Sequence, residues 1–541
     1  MPSPSIPVPP RWRTVATERT LLAVVHNVTA ATRLLDVLTL FAGDPRIQTV
    51  FTCSGSSAFT RGTEEFLAAR GIPLLPWPEA IRGEFDWALA ASYGGDLHEL
   101  RAPLTVVPHG MGYNKFLETG NRKPETGNRK PVFGLSEPWL MHRGEVVPRH
   151  IVLSHREQLD RLRQSCPPAA ERAVVAGDPC LDRLRASKPL RETYRQMLGV
   201  RRGQKLVLVS STWGAESLFG QAPDLPAKIA RELPVDEFKT VLALHPNISQ
   251  GHFPWQLRMW LEDCRRSGVV VLPREELWQP AAVAADVTIG DQGSVTFYSA
   301  CLGTPILLAT APQETVDPAS PIAALLRAAP ELKADHLADQ LTEVIAHPPP
   351  LDAVTALATS APGESAARLT ELGYQALRLS PTERTPVLTT FPLPQIPDSQ
   401  ACAHWVSVVE DQVVRHAANS AAIPPQTHLV VTTDAPDPRL LEQASVVLGD
   451  RVPDPVRWIV QTLTSLPGCQ WVACPAETGW LTGNRDGRLV RFTTPELPEV
   501  VPSLLYLRDG EIPAELSFVA AGVRHEVQLS VVKDGARPAT P

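Results

Sequence analysis

Two histidines follow stretches that predict β-strands, and each could move or hold a proton. His109 closes the stretch 104–108 and precedes Gly110, whereas His245 closes a second apolar stretch and precedes Pro246. A neutral imidazole within reach of a hydroxyl can take its proton as charge develops. The pattern therefore makes His109 a candidate general base, and a histidine that only caps a turn is the alternative interpretation.

The loop 290–294, with sequence GDQGS, lies between a predicted strand and a predicted helix. Glycines let the backbone approach a ligand, and the unpaired N–H groups at a helix start bind phosphate. Simple capping by Asp291 or Ser294 is the alternative. The loop does not fit the G-x-G-x-x-G or Walker patterns. Together with His245, which could donate to a phosphoryl oxygen, it predicts a diphosphate site.

The elements around these residues alternate between strand and helix signals. In the first third, strands are predicted at 19–27, 47–54, 72–77, 85–92 and 104–108, and helices at 29–43 and 62–71. A second series has strands at 204–214, 238–247 and 268–273, and a strand-helix-strand unit at 285–310. Such alternation predicts parallel sheets covered by helices, with ligands at the carboxyl ends of the strands. The loops at these ends include His26-Asn27, Ser54–Ser57, Ser92–Gly95 and His109-Gly110.

These signals divide the chain into two tandem Rossmann-like halves and an accessory domain. We predict a flexible arm over 1–18, an acceptor-side domain over 19–195, a donor domain over 196–378, a proline-rich linker over 379–400 and a small α+β domain over 401–541. The cleft between the halves is the expected ligand site.

Composition excludes several classes of function. The 541 residues include 51 basic and 58 acidic side chains, a formal charge of −7, which is unsuited to general nucleic-acid binding. No apolar run reaches the roughly 18 residues of a membrane helix. The eight cysteines are scattered without zinc spacing. We expect a cytoplasmic protein without cofactor or metal, with at most weak peripheral contact at the inner membrane face.

A seven-residue sequence, ETGNRKP, occurs twice in tandem over 118–131. One interpretation is a neutral insertion in an exposed loop, where added length costs little. The other is a basic flap over the site, because the repeat follows His109 closely.

Five short elements, in order over residues 20–375, resemble the CDP-glycerol glycerophosphotransferases and related teichoic-acid polymerases. They are a His-Gly pair followed by a lysine, at His109-Gly110 through Lys115, a G-x-P-x-x-D element at Gly177–Asp182, Ser211-Thr212-Trp213, His245-Pro246, and Asp291-Gln292-Gly293-Ser294 followed by Gly303-Thr304-Pro305. The resemblance implies the GT-B fold. The sequence departs from the family at Pro108, where the family usually has Trp, and at Gln292 and Gly293, which replace Tyr and Ser.

The resemblance also implies a reaction. An acceptor hydroxyl attacks the β-phosphorus of CDP-glycerol, a glycerophosphate-type group is transferred to a cell-wall polymer, and CMP leaves. His109 would be the general base and Gly110 would give the substrate room, with Lys115 as a further candidate. The donor would be bound by Gly110, Thr212, His245, Asp291, Gln292, Gly293 and Ser294.

Two other functions remain open from the sequence. One is a GT-B glycosyltransferase or nucleotide-sugar epimerase that uses an NDP-sugar, and the other is a non-catalytic GT-B scaffold. The expected partners are a nucleotide-activated donor and an unidentified hydroxyl acceptor. The remaining histidines, including His26, His142, His150, His155 and His252, are expected to be surface or turn residues.

Overall fold

The structure is a computed structural model. It describes residues 14–57, 60–116, 130–273, 277–396, 401–419, 426–494, 496–508 and 511–532. The predicted arm up to residue 13 and the tandem repeat up to residue 129 lie outside the described residues, so the flap interpretation stays a prediction.

The first half is built on a parallel sheet. Its strands follow each other in space as β3-β2-β1-β4-β5-β8-β9, and β6 and β7 form a separate antiparallel pair. The bounds are β1 (Arg19–Val25), β2 (Ile47–Cys53), β3 (Leu74–Leu75), β4 (Trp87–Ala90), β5 (Leu104–Val106), β6 (Met141–His142), β7 (Glu145–Val146), β8 (His150–Leu153) and β9 (Ala173–Val175). The apolar run of β1 is buried on both faces, as a central parallel strand requires.

Helices connect these strands. They are α1 (Val28–Leu38), α2 (Thr60–Ala68), α3 (Trp77–Ala80), α4 (Glu137–Leu140), α5 (Arg156–Ser165), α6 (Pro167–Ala170), α7 (Pro179–Ala186) and α8 (Arg191–Met197). Helix α1 begins directly after β1, where Oδ1 of Asn27 accepts from the backbone N–H of Ala30 at 2.8 Å. This cap fixes the turn at the carboxyl end of β1.

The second half repeats the design. Strands β10 (Lys205–Ser211), β11 (Phe238–Leu244), β12 (Val270–Val271), β13 (Val287–Gly290) and β14 (Ile306–Leu308) form a parallel sheet in the order β12-β11-β10-β13-β14. The helices are α9 (Leu218–Gln221), α10 (Leu225–Glu232), α11 (Pro246–Gly251), α12 (Pro254–Trp260), α13 (Glu262–Arg266), α14 (Trp278–Ala284), α15 (Ser294–Cys301), α16 (Pro321–Ala328), α17 (Leu337–Ala346), α18 (Asp352–Thr355) and α19 (Ser365–Leu377).

The strand order reverses at the same place in both sheets, between β1 and β4 in one and between β10 and β13 in the other. Open parallel sheets bind ligands at this switch point. Helix α19 then returns to the first half, where Leu369, Leu372 and Leu377 join the core around β1. Two Rossmann-like halves that face each other across a cleft confirm the predicted GT-B-like architecture.

The segment after α19, predicted as a linker, has no helix or strand over residues 379–396. It nevertheless packs closely on the two halves. Phe391 is buried in the core of the second half, and its carbonyl accepts from the Tyr194 hydroxyl at 2.7 Å. The carbonyl of Thr389 accepts from the Arg183 guanidinium at 2.8 Å.

The C-terminal residues form the predicted α+β domain, in which the sheet closes on itself. Its strands are β15 (Ala403–Val409), β16 (Gln412–Ala417), β17 (Thr427–Thr432), β18 (Val446–Leu448), β19 (Trp471–Pro475), β20 (Trp480–Asn484), β21 (Leu489–Thr493), β22 (Glu515–Ala520) and β23 (Val523–Val531), and its helices are α20 (Pro438–Gln443), α21 (Pro455–Ser465) and α22 (Val501–Tyr506). The domain contacts the second half through Arg415, which pairs with Asp236 at 2.6 Å. Within its own domain, Arg415 also pairs with Glu499 at 2.9 Å.

None of the helices in the described ranges combines the length and the apolar character that a bilayer crossing requires.

Candidate functional site

A cavity of about 220 Å³ lies between the two halves, at the carboxyl ends of both sheets. The predicted residues that line it are His109, Gly110 and Lys115 from the first half and Thr212, His245, Gly293 and Ser294 from the second. Residues far apart in sequence thus converge on one cleft. Asp291 and Gln292 are buried behind its wall.

His109 presents a free ring nitrogen to the site. Its Nδ1 lies 3.0 Å from the carbonyl oxygen of Ala91, at the end of β4. A carbonyl can only accept, so Nδ1 carries the hydrogen and Nε2 keeps its lone pair. Burial chiefly lowers the pKa of His109 to about 4, and the cations Arg33 and Lys115 lower it further. The ring is therefore neutral at pH 7, in the form that a general base needs.

His245 has the opposite arrangement. It is the N-cap of α11, and its Nδ1 accepts from the backbone N–H of Asn247 at 3.1 Å. The hydrogen of the neutral ring is then on Nε2, which can donate to an anion. Burial lowers the pKa of His245 to about 3, with smaller contributions from Lys115 and His109.

Lys115 connects the two halves across the cleft. Its Nζ donates to the hydroxyl of Thr212 at 3.1 Å, beyond the end of β10. Burial lowers the pKa of Lys115, and the carboxylate of Asp291 acts in the opposite direction. An ammonium group next to the Nε2–H of His245 gives this side of the cleft the character of an anion site.

Ser294 and Gly110 meet across the same cleft. The hydroxyl of Ser294, the first residue of α15, accepts from the backbone N–H of Met111 at 3.1 Å. A Cβ added to Gly110 would lie 2.7 Å from that hydroxyl. A side chain at position 110 would therefore displace the Ser294 hydroxyl, so the close approach of Ser294 favours glycine at this position in addition to any substrate. The Ser294 hydroxyl can still donate its own hydrogen.

Asp291 organises the loops of the second half. Its carboxylate accepts from the backbone N–H groups of Thr212 at 2.8 Å, Leu218 at 2.9 Å and Gly293 at 2.9 Å. The side chain is completely buried. This position supports a structural role for Asp291, which holds the strand-end loops in place, and its donor-binding role stays a prediction. Gln292 is also buried and lies 3.4 Å from the carbonyl of Glu216.

Arg33 is a site residue that the sequence interpretation missed. It is buried on α1, lines the cavity and lies 3.2 Å from the Tyr298 hydroxyl, while Tyr298 donates to Asp178 at 2.7 Å. The Nε of Arg33 is buried with no partner among the described residues. Its guanidinium also lies 3.5 Å from the carboxylate of Asp178. An arginine in a helical stretch ordinarily lies on a solvated face, so only these contacts with Tyr298 and Asp178 identify Arg33 as a site residue.

The prediction for His26 was wrong, because this histidine is buried. It was expected at the surface or in a turn, but it is 2% exposed at the end of β1. Its Nε2–H donates to the carbonyl of Gly94 at 2.8 Å, and Nδ1 has no partner within the described part of the chain. Burial, mainly, lowers the pKa of His26 to about 4, and His109 is close enough to contribute. A second neutral histidine therefore lies beside the candidate base.

Comparison with known proteins gives only distant structural likeness. No protein-family model matches the chain, and neither does any curated protein. The wall teichoic acid polymerase TagF is 13% identical, with a TM-score of 0.42 over 67% of this chain and 89% of that chain. UDP-GlcNAc 2-epimerase from Neisseria meningitidis, solved with UDP-GlcNAc, is 13% identical, with a TM-score of 0.43 over 66% of this chain and 100% of that chain.

A putative UDP-N-acetylglucosamine 2-epimerase from Listeria monocytogenes is similar at the same level, with 13% identity and a TM-score of 0.40 over 69% of this chain and 100% of that chain. Likeness of this degree says nothing about the activity of the chain. The GT-B-like fold is assigned here from the strand order and the facing halves.

Proposed function

We propose that this protein is a transferase that moves a group from a nucleoside-diphosphate-activated donor to an acceptor hydroxyl. The observation that carries the proposal is the pairing of a neutral base with an anion site in one cleft. His109 offers a lone pair on Nε2, and Lys115 and His245 offer hydrogen-bond donors. More specifically, we propose a CDP-alditol donor, a glycerophosphate-type group and release of CMP.

The donor diphosphate would be bound by hydrogen-bond donors of two kinds, from side chains and from the backbone. The ammonium of Lys115 and the Nε2–H of His245 would donate to phosphoryl oxygens. The N–H groups at the start of α15 add the positive end of a helix dipole. These donors stabilise the negative charge that develops on a departing phosphate.

Proton transfer would pass through His109. As the acceptor hydroxyl attacks phosphorus, its proton moves to Nε2, and the carbonyl of Ala91 holds the hydrogen on Nδ1 and stabilises the imidazolium. A bound diphosphate places negative charge near the ring, which raises the pKa of His109 toward the range of an effective base. Donor binding would therefore make His109 a stronger base before the acceptor hydroxyl reacts.

A sugar nucleotide is the second candidate donor, because the same phosphate contacts would serve it. In glycosyl transfer the acceptor attacks the anomeric carbon, and a nucleoside diphosphate leaves. In the phosphoryl transfer proposed here, a monophosphate leaves. The buried Arg33, whose Nε is without a partner among the described residues, is a candidate ligand for a hydroxyl or phosphoryl oxygen in either reaction.

Calorimetric titration with CMP, CDP, CDP-glycerol and UDP tests the proposed site. We expect the diphosphates to bind more tightly than CMP, and Lys115→Met to weaken diphosphate binding by about 10- to 100-fold through loss of a charged hydrogen bond. Lys228→Met, the same substitution on α10 at a partly exposed lysine that pairs with Glu232 at 3.7 Å, is the matched control. Equal affinity of Lys115→Met and wild type for CDP would refute the diphosphate site.

A further inference from the structure

An exposed aromatic ridge lies on the second half, at α12 and the residue before it. It consists of Phe253, Trp255, Met259 and Trp260, which are 84%, 61%, 53% and 46% exposed. The ridge begins eight residues after His245, at the far end of α11. Large apolar side chains scattered singly on a surface are ordinary, but four within eight residues indicate an interaction site.

The ridge is unusual for a helix on the surface of a single chain. Within α12, Leu257 is buried against the second half, whereas Trp255, Met259 and Trp260 point to solvent. An amphipathic surface helix has a polar outer face, and a helix with apolar residues on both faces is normally covered on both. The inner face of α12 has its partner in this chain, and the outer face fits a partner from outside it.

The size of the ridge matches the apolar centre of a protein interface. A fully covered aromatic side chain contributes about 150–250 Å², so the exposed fractions of the four residues correspond to roughly 500 Å². A standard interface buries about 800 Å² on each partner, with an apolar core and a polar rim. Trp, Phe, Met and Arg are the residues enriched in such cores, and Arg258 lies exposed between the ridge residues.

Charges around the ridge favour a protein partner over a lipid surface. The next helix, α13, contains Glu262 and Asp263 together with Arg265 and Arg266, and Glu262 lies 3.4 Å from Arg266 and 3.8 Å from Arg265. Both signs are therefore present beside the ridge, and the whole chain has a net charge of −7. An anionic bilayer selects clustered basic residues instead. A surface with both signs can be complementary to itself across a two-fold axis.

We propose that the aromatic ridge is the centre of an interface with a second copy of this chain. Two ridges facing each other would cover the outer faces of both α12 helices, and the acidic and basic residues of α13 would form the rim. This inference concerns assembly and does not depend on the proposed reaction.

The test is the mass of the full chain in solution, measured by light scattering at micromolar concentration. We expect wild type near twice the chain mass of 58.9 kDa and the double variant Phe253→Ser/Trp255→Ser at the monomer mass. Val409→Ser, at a valine 66% exposed on the C-terminal domain, is the matched control and should remain dimeric. Far-UV circular dichroism spectra should be the same for all three proteins, because the substituted side chains are exposed in the folded single chain. The double variant should melt at a lower temperature than the two dimeric proteins, because association stabilises the folded state.

Two results would overturn the proposal. One is a monomeric wild type, and the other is a double variant that stays dimeric. The wild type should also stay in solution when mixed with vesicles of phosphatidylcholine and phosphatidylglycerol. A monomeric wild type that sediments with these vesicles, and a double variant that does not, would assign the ridge to a lipid surface instead.

Discussion

His109 and His245 hold their ring hydrogens on opposite nitrogens. The carbonyl of Ala91 requires a hydrogen on Nδ1 of His109, whereas the backbone N–H of Asn247 requires a lone pair on Nδ1 of His245. One ring can therefore take a proton at Nε2, and the other can donate a hydrogen bond there. Both rings are neutral at pH 7, because burial lowers the pKa of His109 to about 4 and that of His245 to about 3.

His245→Asn separates the role of this histidine as the N-cap of α11 from its proposed role as a phosphate ligand. Asparagine is a good N-cap, so the variant should keep its stability within about 0.5 kcal/mol, whereas His245→Ala should lose about 0.5–2 kcal/mol. Both variants lose the Nε2–H, so each should bind CDP more weakly by about 1–3 kcal/mol. Thermal melts and calorimetry measure the two effects. Wild-type CDP affinity in the asparagine variant would exclude His245 as a phosphate ligand.

His109→Ala tests the base. The variant should bind donor almost as wild type does, because it leaves the proposed phosphate ligands, Lys115 and His245, unchanged. Its turnover should fall by about 100-fold or more, the usual effect of losing a general base. Steady-state rates and donor titrations on the same preparation separate the two quantities. A variant that turns over at the wild-type rate would rule out this role for His109.

Asp291→Asn should act on stability. The carboxylate accepts from three backbone N–H groups in a fully buried position. The NH2 group of asparagine is a donor, so it would face at least one of these N–H donors and leave it without an acceptor. We expect a loss of about 2–4 kcal/mol in the free energy of unfolding, measured by urea denaturation. A stable variant that has only lost affinity for CDP would instead support the predicted donor-binding role of Asp291.

His428→Phe should reduce the sensitivity of the protein to acid. His428 is buried beside the Tyr506 ring, neither ring nitrogen has a partner within the described ranges, and burial lowers its pKa to about 4. The unfolded chain, with a pKa near 6.5, binds the proton more readily, so wild type loses stability as the pH falls from about 6.5 toward 4.

At pH near 4, this one histidine lowers the free energy of unfolding of wild type by about 3 kcal/mol. Urea denaturation at pH 7 and pH 4.5 should therefore show a smaller drop in the variant than in wild type. An identical drop in the two proteins would mean that His428 does not titrate with folding.

Local sequence signals located the central strands, although the stretches predicted for β1, β5, β10 and β11 run two or three residues past the observed strand ends. The apolar runs that became β1, β5, β10, β11 and β13 are buried on both faces, so they are continuous and easily seen. Because carboxyl ends of parallel strands share one edge, the loops at His109, Thr212 and His245 could be expected to meet. The alternation of strands and helices was enough to predict two doubly wound halves.

Other features depend on contacts between distant segments and could not be read locally. Asp291 occurs in a loop motif that is typical of ligand binding, yet its carboxylate is used by N–H groups from the β10 loop. Strands β15 and β16 have mixed burial, and β20 lies beside loops. These three segments are recognised as strands only from their pairing in the closed sheet. The arginine at position 33 looks solvated in sequence, and its burial becomes clear only beside Tyr298.

The nucleotide released during turnover tests the central claim most directly. Purified protein is incubated with CDP-glycerol, CDP-ribitol and a panel of UDP-, GDP- and dTDP-sugars, each with crude acceptor, and the nucleotides are separated by chromatography. We predict CMP from a CDP-alditol with wild type, and little or none with His109→Ala. A nucleoside diphosphate that appears only with a sugar donor would contradict phosphoryl transfer and assign the cleft to glycosyl transfer.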